Sequence, residues 1–179
     1  MAAGATVHTF EITLADVDRG IYEDFSLRVA RHPSETAAFM VTRVLAYCLE
    51  HAEGIEFSEG IFTADEPAVL VRDLTGRITA WIEVGAPDAE RLHRGSRAAE
   101  RTAIYTHRDP DKLLASWDGK RIHERERISL VHFDEGLVEP AAALVERRNA
   151  LTISVTDGHL YLELNGTALD SDVHSRTLA

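Results

Sequence analysis

The chain has 179 residues and a mass of 19.8 kDa, and 45% of its side chains are hydrophobic and 27% charged, which supplies one ordinary globular core and suggests a single domain. Thirty acidic residues stand against 19 lysines and arginines, a formal charge of −11, so a broad nucleic-acid-coating surface is excluded while a local basic stripe stays open. The lone cysteine, Cys48, excludes a disulfide framework and a thiolate zinc site, and it reads as a small buried hydrophobe.

Met1 to Thr9 lacks the basic start and apolar body of a secretory leader, and no run approaches the roughly twenty apolar residues of a membrane span. A cytoplasmic location is the expectation. Partial alternation over Val7 to Leu14 and over Tyr22 to Ala30, with turn residues between, predicts an opening hairpin. His32-Pro33-Ser34-Glu35 then reads as a helix start, with Glu35 in the first turn. Ala37 to Leu49 is apolar around most of its circumference and reads as a core helix ending before Gly54.

A loop is expected through Ile55 to Glu66. Ala68 to Val71 and Ile78 to Val84 follow as a hairpin turned at Gly76, where a positive φ is needed. Asp88 to Glu100 reads as a polar helix, Arg101 to Thr106 as a strand, and Asp109-Pro110 as the opening of a further helix. Ile128 to Phe133 is a strand, Glu135 to Arg147 a short helix, and Leu151 to Val155 pairs with Leu160 to Leu164 across Asp157-Gly158. The order predicts a mixed α/β sheet flanked by helices, one domain over 1–170 with a frayed tail over 171–179.

Histidine spacing gives no metal motif: His123, His132 and His159 fall on separate segments and no H-x-x-x-H occurs, so the histidines read as scattered. There is no G-x-S-x-G and no glycine-rich phosphate loop. The acids around the central hairpin carry more chemistry. Glu35, Asp65, Glu66 and Glu83 could converge on Mg²⁺, which takes one or two carboxylates together with waters and phosphate oxygens. The bland alternative makes Glu35 a helix-dipole acid and Asp65 and Glu66 solvated loop acids. Glu83 is harder to place that way, because an acid inside a central strand needs a partner or a cation. Beyond it, Arg91, Arg94, Arg97 and Arg101 recur at helical spacing with His93 among them. They form either a phosphate-docking face or ordinary pairs with Asp88, Glu90 and Glu100.

Three segments, Arg31-His32-Pro33-Ser34-Glu35-Thr36, Asp65-Glu66-Pro67 and Trp81-Ile82-Glu83-Val84-Gly85-Ala86-Pro87-Asp88, resemble the signature segments of the YaeQ family of small bacterial proteins, and the likeness extends over nearly the whole chain. That resemblance implies the restriction-endonuclease-like fold and a variant of the PD-(D/E)XK nuclease site. Glu35 would be the acid of the first core helix, Glu83 the acid of the D/E-x-K element and Pro67 the proline of the PD element. The pattern breaks at Ala68, where the aspartate should stand, and at Gly85, where the lysine should. Asp65 or Glu66 would replace the first, and Arg94, or His93 as a titratable group, the second. An arginine takes over the lysine's work only in part, because it stays protonated.

The expectation drawn from residues and resemblance together is a degenerate metal-dependent nuclease-like protein. Glu35 and Glu83 would hold Mg²⁺ or Mn²⁺ with Asp65 or Glu66, Glu35, Glu83 and Arg94 would be the catalytic set, and Arg91 and Arg94 would receive phosphate. The rival expectation is a non-catalytic adaptor that binds a nucleic acid or a transcription-related protein.

Overall fold

A computed structural model describes residues 4–58 and 65–179. Its elements in chain order are β1 (Thr6–Asp16), β2 (Ile21–Arg31), α1 (Ala37–Leu49), β3 (Ile55–Phe57), β4 (Val69–Arg72), β5 (Ile78–Val84), α2 (Ala89–Ala98), β6 (Arg101–Thr106), α3 (Pro110–Ser116), β7 (Ser129–Phe133), α4 (Val138–Leu144), β8 (Arg148–Thr156), β9 (His159–Leu164) and β10 (Thr167–Thr177). This is a mixed α/β protein. The chain forms two compact units, the first from Met1–Val41 with Phe133–His174 and the second from Thr42–His132 with Ser175–Ala179.

In the first unit β1 and β2 pair antiparallel from Thr6↔Arg31 to Asp16↔Ile21, as the opening alternation predicts. Phe10, Ile12 and Leu14 of β1 are buried while Glu11 and Thr13 face out, the period of two that one covered face demands. β8 joins β1 in parallel, and β9 and β10 continue antiparallel, in the order β2-β1-β8-β9-β10. Two tight turns close this meander. Asp157-Gly158 has φ of 51° and 72°, and Asn165-Gly166 has φ of 51° and 89°, both left-handed pairs of the kind that match strand twist. The frayed tail expected over 171–179 is corrected here: β10 runs on to Thr177, and Thr167 to Asp172 pair with β9. Backbone pairing holds that strand, because its own side chains are largely polar and exposed.

In the second unit the order is β3-β4-β5-β6-β7, antiparallel from β3 to β5 and parallel from β5 to β7. The segment expected as a loop from Ile55 thus opens with a short strand, β3. α2 crosses from β5 to β6, and α3 lies between β6 and β7. Leu92, Ile104, Trp117, Ile128 and Leu130 bury together, with the Trp117 indole N–H donating to the Pro87 carbonyl at 2.8 Å. Cys48 is buried, as its apolar surroundings predict.

The start of α1 also differs from the sequence reading. Glu35 precedes the helix, and Thr36 caps it, its Oγ1 accepting from the Phe39 N–H at 3.0 Å while its carbonyl accepts from the Met40 N–H. A hydroxyl one residue before an apolar run satisfies the orphan N–H groups better than the Pro33-Ser34 turn could.

Across β6 in the second unit, Glu50 takes an ion pair from Arg101 and a 2.7 Å hydrogen bond from the buried Tyr105 hydroxyl. Arg101 is desolvated, yet Glu50 holds its pKa above the usual arginine value. Tyr105→Phe is expected to lower stability by about 1–2 kcal/mol, the range for a bond to a charged acceptor whose other partner stays. Urea denaturation monitored by tryptophan fluorescence measures it, and an unchanged midpoint would show that Glu50 needs only Arg101.

Candidate functional site

β5 carries Glu83 one residue from its end, flanked by β4 on one side and β6 on the other. The residue is only 3% exposed. A carboxylate in such a place requires charge and hydrogen bonds to offset its lost hydration. Arg91, on the first turns of α2, supplies most of both: its Nε donates to Oε1 and to Oε2 of Glu83, each at 2.9 Å. The Trp81 indole N–H, two residues earlier on the same strand face, donates to Oε1 at 2.8 Å. Burial pushes the Glu83 carboxyl above the usual glutamate range, against the pull of Arg91 and Trp81 and with a push from Asp88.

Local structure explains why Arg91 arrives there. Gly85 takes φ of 90° and its N–H bonds the Tyr105 carbonyl, so the chain leaves β5 sharply. Asp88 then caps α2 by accepting from the Arg91 N–H at 2.8 Å. Gly95, one turn further on, has no side chain because the Trp81 ring lies against it. The helix therefore packs close over the strand, and Arg91 reaches both Glu83 and the Glu66 carbonyl, the latter at 2.6 Å. The left-handed φ at Gly85 favours glycine there, since any side chain at this position would carry backbone strain.

The remaining residues expected at the site fall into place one by one. The Glu66 carboxylate is bonded by Arg72 at 2.8 Å, and Arg72 also bonds Glu56. Asp65 is exposed. Arg94 pairs with Glu90 at 3.4 Å on the outer face of α2. Glu35 is 3% exposed, and Arg31 donates to its backbone carbonyl at 2.9 Å. Glu35 belongs to the first unit, whereas Glu83, Asp65, Glu66, Arg91 and Arg94 belong to the second. Within the second unit, Glu83, Arg91 and the Glu66 backbone come together.

Two groups outside that set stand out. On and beside α2, His93 accepts from the His123 N–H at 3.1 Å, and the two imidazoles lie edge to face with centroids 6.3 Å apart. Loss of solvent and the charges of Arg121, Arg97 and His123 hold the His93 pKa down. Among the described residues neither Arg97 nor Arg121 has an ion-pair partner, and both are exposed. In the first unit, His159 and His174 meet three aspartates: His159 contacts Asp170 at 2.7 Å and Asp172 at 2.6 Å, and His174 contacts Asp134 at 2.6 Å. The signal for this second group is the spacing Asp170-x-Asp172-x-His174, which a strand projects on one face. The sequence reading, which took 171–179 as frayed, passes over it.

Fold and site together define a mixed α/β protein whose inner-strand acid is held by an arginine of the following helix. The family model described as YaeQ protein matches residues 1–173, and the chain belongs to the YaeQ family. It is 30% identical over 165 residues to the Uncharacterized protein YaeQ of Escherichia coli (strain K12), covering 90% of each chain. The crystal structure of YaeQ protein from Pseudomonas syringae is 29% identical and superposes with a TM-score of 0.85 over 99% of this chain and 97% of that one. That of YaeQ protein from Xanthomonas axonopodis pv. citri is 26% identical, with a TM-score of 0.86 over 96% and 98%. Among the described residues no helix is long and apolar enough to cross a membrane.

Proposed function

We propose that the protein is a non-catalytic member of the restriction-endonuclease-like class that binds the phosphate backbone of a nucleic acid through α2 and the segment before β7. The observation that carries this reading is the pair of exposed arginines, Arg97 and Arg121, that lack acidic partners among the described residues and whose charges act on His93 in a protein of net charge −11. Unpaired cations gathered around two imidazoles repel one another, and an anion placed among them relieves that repulsion and gains charge-assisted hydrogen bonds. A bound phosphate would also favour the protonated form of His93, adding a third positive charge.

The engagement of Glu83 supports the non-catalytic part. A metal-dependent nuclease needs carboxylate oxygens facing a cation and its waters. Here both oxygens of Glu83 face Arg91, which also bonds the Glu66 carbonyl, so Mg²⁺ or Mn²⁺ would have to expel a guanidinium held by the Glu83 carboxylate and the Glu66 backbone together. The rival reading, metal-dependent phosphodiester cleavage by a PD-(D/E)XK-type site, draws its support from the place of Glu83 at the end of an inner strand and from its raised pKa.

Fluorescence anisotropy with labelled single-stranded and duplex oligonucleotides over a salt series tests the proposal. Arg97→Ala plus Arg121→Ala is expected to weaken binding uniformly across sequences and to reduce the slope of log Kd against log salt by about 2. Folding stability is expected to stay within about 0.5 kcal/mol of the parent, since both side chains are exposed. An unchanged affinity and slope in the double variant would overturn the proposed face. Incubation of plasmid with Mg²⁺ or Mn²⁺ addresses the rival: cleavage by the parent that disappears in Glu83→Ala would establish the nuclease reading instead.

A further inference from the structure

We propose that Asp134, Asp172 and His174 in the first unit form a binding site for a divalent first-row transition cation, Zn²⁺ foremost, independent of the Glu83 region. One ligand atom from each of the three residues lies within 4.8 Å of the others. Ligands around a tetrahedral Zn²⁺ at about 2.0–2.2 Å stand roughly 3.3–3.6 Å apart, so small side-chain rotations close the set. Two carboxylate oxygens and one imidazole nitrogen are a donor set that Zn²⁺ accepts readily, and three protein ligands leave a fourth position for water.

The backbone presents these groups in a prepared arrangement. Asp170, Asp172 and His174 alternate along β10 and so share a face, while the antiparallel register sets His159 of β9 directly opposite Asp172. Asp134 follows β7, where its N–H donates to the Oγ of the buried Ser171 at 2.8 Å. Its Oδ2 accepts from the Asp172 N–H at 2.9 Å, which turns Oδ1 toward Nε2 of His174 at 2.6 Å. A cation would take the place of that last contact, held by Oδ1 of Asp134 and Nε2 of His174.

Behind the three ligands stands a supporting shell. His159 directs Nδ1 at Oδ1 of Asp172, 2.6 Å, and Nε2 at Oδ2 of Asp170, 2.7 Å, so the carboxylate of Asp172 is oriented by a histidine that is itself held by a second aspartate. Outer-shell bonds of this kind are what hold metal ligands in place. Both ring nitrogens of His159 thus face carboxylate oxygens, which fixes the ring between Asp170 and Asp172.

Isothermal titration of the full chain with ZnCl₂ tests the site. The expected result is saturable binding that Asp134→Asn plus His174→Gln weakens by at least about 10-fold, and that Glu83→Gln, which touches only the other unit, leaves unchanged. Because His174 is part of β10, Co²⁺ added to the parent protein supplies a readout that needs no substitution. Its paramagnetic shifts are expected on the His174 ring and on the amides of Asp134 and Asp172. Absence of saturable binding up to millimolar Zn²⁺, undiminished binding in the double variant, or Co²⁺ shifts centred on other histidines would each overturn the assignment.

Discussion

Replacing Arg91 with alanine is expected to lower the unfolding free energy by about 3 kcal/mol at neutral pH. Removing one member of a buried ion pair leaves the other charge without compensation, and the usual range for that loss is about 3–5 kcal/mol. The lower end applies because the Arg91 side chain keeps 20% of its surface in solvent while that of Glu83 keeps 4%. The dependence on pH identifies the cause. Burial already holds the Glu83 carboxyl above its ordinary value, so between that ordinary value and the raised one the folded state binds more protons than the unfolded state. Its contribution is therefore greatest below the ordinary glutamate pKa and declines as pH rises through the raised one. Without Arg91 that decline should reach to higher pH and run deeper, and in Glu83→Gln it should be absent. Denaturant midpoints measured at several pH values distinguish the three proteins. If Arg91→Ala loses the same stability at all pH values, the loss comes from packing, and the buried charge of Glu83 is compensated by something other than Arg91.

The second large effect is expected at Gly95. A Cβ there would stand 2.5 Å from Nε1 and 2.6 Å from Cδ1 of Trp81, whose ring is 1% exposed and has nowhere to turn. Alanine would gain about 1 kcal/mol of helix propensity over glycine, yet overpacking a filled site costs about 1–3 kcal/mol. Gly95→Val, with a larger and β-branched side chain, is expected to lose about 3 kcal/mol. The two predictions are linked, because moving the indole also moves its hydrogen bond to Glu83. The double variant should accordingly be more stable than the sum of the single losses suggests, since neighbours that share one network are not additive. Thermal melting and urea titration of the four proteins complete the cycle. A Gly95→Val protein as stable as the parent would mean that α2 can slide off β5 at no cost.

Much of the fold was legible in the residues. The opening hairpin, the core helix, the Gly76 hairpin and the Asp157-Gly158 pair each carry a strong local signal, an apolar period or a glycine at a left-handed position, and each appears in the structure. β10 does not, because its strand status comes from backbone bonds to β9 and its side chains show no apolar alternation. The Asn165-Gly166 pair was the available clue, a two-residue turn directly after an alternating run. Glu35 was read in the first turn of its helix but lies two residues before Ala37, since Pro33-Ser34 competes in sequence with the Thr36 hydroxyl that caps it in space.

The candidate site was legible in its members more than in its bonds. That Glu83 is a buried acid in need of a partner follows from its neighbours Trp81, Ile82 and Val84, and the exposure of Asp65 is ordinary for a loop acid. Arg91 was expected to receive phosphate, and in the structure its guanidinium bonds Glu83 and the Glu66 carbonyl. Helical spacing alone puts Arg91 and Arg94 three residues apart on neighbouring faces and says nothing about which one meets the sheet.

By itself the sequence determined the type of most elements, β3 and β10 excepted, the charge balance, the family and the presence of one acid that could not stay alone. Only the tertiary structure decided who answers that acid, because the answer depends on how near α2 approaches β5, a distance set by the absent side chain of Gly95 and the flat ring of Trp81. The same holds for Asp134, Asp172 and His174. Local pattern places two of them on one strand, but the third arrives from a segment 38 residues away, and long-range register is the one quantity that periodicity does not contain.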